Sequence, residues 1–76
     1  MAVLYQYYKK EINANKILVR INPATMEGLE LLISSAGQIE QNKRDFDATI
    51  YDDLDFDGFA SVNPMEFNLY LSGAAK

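Results

Sequence analysis

The chain contains neither cysteine nor histidine, and this double absence restricts what its 76 residues can fold into. Without cysteine, a small chain has no disulfide framework, thiolate zinc site or iron–sulfur cluster to hold it together. A chain of this size buries only about 60% of its unfolded surface, so stability must come from a hydrophobic core or from a partner. Hydrophobic residues make up 49% of the chain, as in ordinary globular proteins. We therefore predict a single small domain over residues 1–76, with self-association as one source of extra stability.

The missing residue types also exclude most catalytic chemistry. Without histidine there is no Ser-His-Asp triad, and without cysteine there is no thiol nucleophile. Paired carboxylates can hydrolyse glycosides, but every aspartate here falls within residues 45–57, in a chain with little room for a substrate cleft. We expect that the protein is not an enzyme.

A β-hairpin at the N-terminus is the clearest predicted element. Residues 16–21 are rich in β-branched side chains that alternate onto one face. Residues 3–12 fit either a strand or a helix, because apolar residues recur there at spacings of both two and four. We favour a strand, since Asn13-Ala14-Asn15 is a suitable turn between the two segments.

Two Asn-Pro dipeptides predict helix starts, with asparagine as the cap and proline in the first helical position. The first helix is predicted over residues 22–36, because Met26, Leu29 and Ile33 recur at helical spacing and Gly37 is a suitable C-terminal stop.

The second Asn-Pro helix is predicted to begin at Asn63-Pro64 and to end at Gly73. The apolar spacing predicts that Met65, Leu69 and Tyr70 line one side of it, with Phe67 and Leu71 beside them.

The segment between these two helices is ambiguous in the sequence. Residues 38–44 are polar and predict a strand or a loop. Residues 46–56 fit both helical and extended periods, and we slightly prefer a helix over 46–54 with Asp45 as its cap.

These elements predict an α+β fold: an N-terminal β-hairpin with two or three helices packed on one face of a small sheet. Eight apolar side chains are predicted to form the core. They are Val19, Ile21, Leu29, Leu32, Ile33, Ile50, Leu69 and Leu71.

An acidic segment dominates the second half of the chain. The formal net charge is −4, and all six aspartates lie within residues 45–57. An acidic chain without a basic stripe argues against nucleic-acid binding. Such a segment suits a solvated helix face, a docking surface for a basic protein, or mimicry of a nucleic acid by a phage- or plasmid-type inhibitor.

Within this segment, Asp53-Leu54-Asp55-Phe56-Asp57-Gly58 resembles the start of an EF-hand calcium loop. Calcium prefers several oxygen ligands, and the resemblance implies Asp53, Asp55, Asp57 and Glu66 as those ligands. The spacing departs from the family, because two extra residues follow Gly58. A calcium-binding module is therefore the alternative hypothesis, and no other cofactor is expected.

The leading hypothesis is a small cytoplasmic interaction or regulatory module that binds another protein, either a basic surface or a second copy. No leader or membrane-spanning pattern is expected from the N-terminal residues. Aromatic and acidic side chains supply the predicted contact surface. The candidates are Tyr5, Tyr7, Tyr8, Asp47 and Asp52.

Overall fold

The computed structural model of the chain describes residues 4–74, which form a five-stranded antiparallel sheet with one helix on each face. In chain order the elements are β1 (Gln6–Ile12), β2 (Asn15–Ile21), β3 (Glu27–Ile33), β4 (Ile39–Asp45), α1 (Ile50–Phe56), β5 (Ala60–Ser61) and α2 (Pro64–Ala74). The strand order across the sheet is β4-β3-β2-β1-β5. The mixed α+β class is confirmed, but the two helices lie on opposite faces of the sheet and not on one.

The N-terminal hairpin forms where the sequence predicts it. β1 and β2 pair in antiparallel register from Gln6 opposite Ile21 to Ile12 opposite Asn15. The tight turn between them places Asn13 at a φ of 57°, a left-handed conformation that asparagine tolerates better than most residues. The predicted start of this strand, at Val3, lies outside the described residues.

The helix predicted over residues 22–36 is wrong, because its start signal closes only one turn. The Asn22 side-chain oxygen accepts a hydrogen bond from the Ala24 N–H at 2.9 Å, as a cap does. The Asn22 carbonyl accepts a second bond from the Met26 N–H at 2.7 Å. Met26 then adopts a φ of 63°, which turns the chain out of the helical path.

β3 replaces the rest of that predicted helix. Leu29, Leu31 and Ile33 alternate onto one face and are buried there. β3 pairs with β2 from Gly28 to Ile33 on one side and with β4 along its whole length on the other, so most of its backbone donors and acceptors are satisfied within the sheet. Gly37 lies in the β3–β4 turn at a φ of 87° and ends no helix.

The ambiguous middle segment resolves into a strand and a short helix. Its polar first part is β4, one of the two predicted alternatives. The helix predicted from 46 begins at Ile50, and Asp45 belongs to β4 and does not cap it. The helix start is instead held by Asp47, whose carboxylate accepts hydrogen bonds from the Thr49 N–H at 3.0 Å and from the Thr49 hydroxyl.

α2 begins as predicted, with the Asn63 side chain accepting a hydrogen bond from the Met65 N–H at 3.0 Å. Its inward side differs from the prediction. Phe67 is fully buried, whereas Met65 and Leu69 are 77% and 70% exposed. Gly73 lies inside the helix and does not end it.

The core is divided by the sheet into two clusters. The α2 face holds buried side chains of three elements, namely Leu18, Leu29, Leu31, Ile33 and Phe67. The α1 face holds a smaller buried set, namely Val19, Ile21 and Leu54. Of the predicted core, Val19, Ile21, Leu29 and Ile33 are confirmed, Leu32, Ile50 and Leu71 are half-buried, and Leu69 is wrong.

The two helices differ in how much of the sheet they cover. α2 has 11 residues, whereas α1 has seven and is therefore only about 10 Å long. A seven-residue strand extends about 23 Å, so α1 spans less than half the length of the strands beneath it. Within residues 4–74, neither helix has the length and apolar character needed to cross a membrane.

Candidate functional site

The hairpin end of the α1 face exposes aliphatic side chains from three adjacent strands. Ile12 of β1 is 42% exposed, and Ile17 of β2 and Leu32 of β3 are half-buried. Ile17 lies directly opposite Leu32 in the β2–β3 register, so the two side chains share a face. Ile12 lies on the same face, two residues beyond the partner of Ile17 on β1. We call these three side chains the apolar patch.

The apolar patch adjoins the cluster beneath α1 and is partly covered by it. Leu54, the buried residue of α1, lies in one cluster with Val19 and Ile21 of β2. Ile17 packs against this cluster, whereas Ile12 and Leu32 do not belong to it.

A cleft of about 710 Å³ lies at this end of the sheet and is lined by the apolar patch and also by residues of the α2 face, including Ile33 and Ile39. Its polar lining includes Lys16, Ser34, Gln38 and Glu40. A second groove of about 430 Å³ runs between α1 and the sheet and shares Ile12 and Ile17 with the cleft. Apolar floors with a few polar groups at the margin are typical of binding sites. Within residues 4–74, Glu40 is the one carboxylate in the cleft lining.

The four carboxylates of the calcium hypothesis do not converge. Asp53 and Asp55 lie on α1 and Asp57 caps its end, so the motif forms a helix rather than an ion-binding loop. Glu66 lies on α2, across the sheet from α1. Among residues 4–74, no three acidic side chains are grouped so that they could hold a metal ion. A shared site would require one helix to leave its face.

Glu66 instead forms polar contacts that link α2 to β1 and β2. Its carboxylate accepts a hydrogen bond from the Lys9 ammonium of β1 at 2.9 Å and lies 3.8 Å from the Lys16 ammonium of β2. The hydrogen bond to Glu66 is the main cause that raises the pKa of Lys9 above its usual value. Lys16 also donates to the Tyr70 hydroxyl at 3.1 Å, and this bond raises the pKa of Lys16.

The predicted tyrosine surface is divided between the two faces of the sheet. The Tyr7 ring packs edge-on against Phe67 of α2 at 5.4 Å between centroids. The Tyr8 ring lies on the other face, 6.5 Å from Tyr51 of α1, and burial with the neighbouring Tyr51 raises its pKa. Tyr5 is 39% exposed and is the most accessible of the three. Tyr7 and Tyr8 therefore hold the helices in place.

The two acidic candidates, Asp47 and Asp52, are both exposed. The hydrogen bonds from the Thr49 hydroxyl and N–H hold the pKa of Asp47 below its usual value, and they engage this carboxylate in starting α1. Asp52 lies in the first turn of α1 beside Asp53. Nucleic-acid mimicry by these exposed aspartates stays a prediction.

The apolar patch itself was not predicted from the sequence. The sequence predicts Leu32 as a core residue of a helix, and it gives no role to Ile12. One signal was present, because the continuous run Leu31-Leu32-Ile33 places apolar side chains on both faces of a strand. This signal applies only if the run forms a strand, whereas the preceding Asn-Pro dipeptide favours a helix there.

Comparison with known proteins adds no relative to this description. No family model, curated protein or solved structure matches this chain.

Proposed function

We propose that the protein is a non-catalytic interaction module that binds another protein through the apolar patch. One observation carries this proposal: Ile12, Ile17 and Leu32 come from three paired strands and remain accessible beneath a cleft of about 710 Å³. Contiguous accessible apolar surface with a polar margin is characteristic of sites where another macromolecule binds.

The chemistry of the site indicates what it would bind. The floor is aliphatic, so it fits an aliphatic or aromatic side chain of a partner. Glu40 at the margin lies opposite Leu32 on the same face of the sheet and can pair with a basic residue that flanks such a side chain. Covering three partly exposed aliphatic side chains contributes about 1 kcal/mol each, an energy suited to a regulatory or accessory contact that forms and dissociates.

Other exposed apolar side chains support this choice less well. Leu4, Phe56, Met65 and Leu69 are each more than two-thirds exposed, but they lie outside the lining of the cleft and of the adjoining groove. Single exposed apolar side chains are common on protein surfaces and require no partner. The cytoplasmic location expected from the sequence remains part of this proposal.

A matched pair of lysine substitutions tests the proposal. The full chain, Leu32→Lys and Leu69→Lys are immobilised in turn, and proteins retained from cells that express the chain are identified by mass spectrometry. A retained protein is then purified, and its affinity for each variant is measured by calorimetry. We expect Leu32→Lys to weaken binding by about 30-fold, because a charge replaces a buried apolar contact, and Leu69→Lys to change it by less than about threefold.

Leu32 belongs to neither buried cluster, so Leu32→Lys is expected to keep the fold, and circular dichroism checks this. Ile12→Lys is a second variant on the same patch and should weaken binding similarly. Equal affinities of Leu32→Lys and Leu69→Lys would contradict the proposal. So would a chemical turnover of any substrate by the purified chain that one point substitution abolishes.

A further inference from the structure

β4 is a full-length strand at an open edge of the sheet. It has seven residues, and within residues 4–74 its strand partner is β3. The opposite edge is β5, which has two residues. A short edge strand offers little to pair with, whereas a long one presents a row of backbone donors and acceptors to another strand.

Two hydrogen bonds establish which groups of β4 face outward. The Phe46 N–H donates to the Met26 carbonyl at 2.9 Å, and the Ser34 N–H donates to the Gln38 carbonyl at 2.9 Å. Even-numbered positions of this strand therefore direct their backbone groups toward β3, and odd-numbered positions direct theirs away from it. The outward set is Ile39, Gln41, Lys43 and Asp45.

The charges along this edge differ from those of the chain as a whole. The chain carries a net charge of −4, but β4 is neutral, because Glu40 and Asp45 balance Lys43 and Arg44. Arg44 lies 3.6 Å from Glu30, and Glu40 lies opposite Leu32, so Arg44 and Glu40 project from the α1 face of the sheet. The edge is thus complementary to a strand that carries the same charges in reverse order.

β4 of a second copy is such a strand. In an antiparallel pair, residues directly opposite each other share a face, so only registers that join odd to odd positions and even to even positions are allowed. The register centred on Asn42 joins all seven residues of each strand and places Glu40 opposite Arg44 of the second copy, twice by symmetry. Centring on Lys43 would bring the two lysines together, and centring on Gln41 would place Glu40 opposite Asn42.

We infer that two copies of the chain associate through β4, paired antiparallel about a two-fold axis at Asn42. The four outward residues of each copy then form about eight backbone hydrogen bonds across the axis. Ile39 lies opposite Asp45 at each end and contributes no charge pair. The two α1 faces lie on the same side of the joined sheet, so the dimer presents two apolar patches in one direction. This inference concerns the β4 edge, which shares Ile39 and Glu40 with the cleft lining, and it does not rest on the proposed function.

Analytical ultracentrifugation of the full chain tests the dimer. The molar mass is measured from about 10 µM to about 1 mM protein at low salt, and it should rise from 8.6 kDa toward twice that value. Arg44→Glu and Glu40→Arg each place like charges opposite each other at two sites and should weaken the dimer by about tenfold or more. The double exchange restores opposite charges and should recover most of the loss.

Two further variants separate this register from general effects of charge and folding. Lys10→Glu changes the net charge as much as Arg44→Glu but lies on β1, so it should leave the dimer nearly unchanged. Gln41→Pro removes an N–H that points away from β3 and should abolish dimerisation while circular dichroism shows the monomer fold. A chain that stays monomeric at about 1 mM overturns the inference. The inference is also overturned if the double exchange weakens the dimer as much as each single exchange does.

Discussion

Gly28 of β3 provides a sharp test of how the α1 face is packed. The Phe46 ring lies against this glycine: a methyl group placed on Gly28 would lie 2.7 Å from Phe46 Cδ2 and closer still to Cε2. Gly28→Ala therefore requires the ring to move. Overpacking of this kind costs about 2 kcal/mol, although alanine is otherwise favoured over glycine within a strand by about 0.5–1 kcal/mol.

The cost should depend on the ring. In a Phe46→Ala background the nearest remaining atom is the Arg20 carbonyl oxygen, at 3.1 Å, which requires a shift of a few tenths of an ångström. The small strain there and the gain from replacing glycine nearly cancel, so Gly28→Ala should then change the free energy of unfolding by less than about 0.5 kcal/mol. The coupling energy between the two positions is thus about 2 kcal/mol, well above the usual error of additivity.

Urea unfolding of the four chains in this cycle, followed by circular dichroism, measures the coupling. A domain of this size is stable by about 5 kcal/mol, so each variant should remain folded in the absence of urea. Gly37→Ala is the control, since no atom of the described residues lies near its added methyl group and its cost comes from a φ of 87°. That cost should be equal in both backgrounds. An equal cost of Gly28→Ala in both backgrounds would show that the ring does not pack on the glycine.

Three further predictions concern stability and ionisation. Phe67→Ala removes a fully buried ring and should lower the free energy of unfolding by about 3–4 kcal/mol, whereas Leu69→Ala should change it by less than about 0.5 kcal/mol, both measured by urea unfolding. Met26 adopts a left-handed conformation with a φ of 63°, which glycine tolerates without steric strain. Met26→Gly should therefore raise the free energy of unfolding by about 1 kcal/mol and the melting temperature by several degrees. Because the pKa of Asp47 is lower in the folded than in the unfolded chain, its ionised carboxylate stabilises the fold above the unfolded-state pKa, and this stability is lost as pH falls through the folded-state pKa. Thr49→Val should raise the pKa of Asp47 toward its usual value in an NMR titration.

The elements that follow from the sequence are those whose signals are local. The β1–β2 hairpin depends on alternating side chains and a two-residue turn, and both are visible in the sequence. α2 depends on an asparagine cap, a proline and an apolar spacing, and it forms with the predicted start. The same signals at Asn22 produced one turn only, because the following segment can form a full strand between two neighbours.

The residues from 22 to 36 do not by themselves determine whether the segment forms a helix or a strand. Leu29 and Ile33 fit a spacing of four in a helix and a spacing of two in a strand. The outcome depends on backbone pairing with β2 and β4, which are remote contacts that local propensity does not include. Gly28 was a weak indication, because glycine disfavours a helix, and the Phe46 ring that fills its place becomes apparent only in three dimensions.

The candidate site also depends on residues 27–33 forming a strand. Ile12, Ile17 and Leu32 become neighbours only when β1, β2 and β3 pair in their observed register. The cluster that partly covers Ile17 further depends on α1, whose first residue is four positions later than the sequence indicates. The acidic residues were recognised from the sequence, but the placement of Asp53 and Glu66 on opposite faces required the topology of the sheet.

Site-specific photo-crosslinking tests the central claim, that the apolar patch contacts another protein. A benzophenone amino acid replaces Leu32 in one chain and Leu69 in another, and both chains are irradiated in cells and analysed by mass spectrometry. The account predicts a discrete adduct with another protein at position 32 and at most scattered background at position 69, since Leu69 lies outside the cleft. Equal labelling at the two positions, or an adduct at position 69 alone, would contradict it.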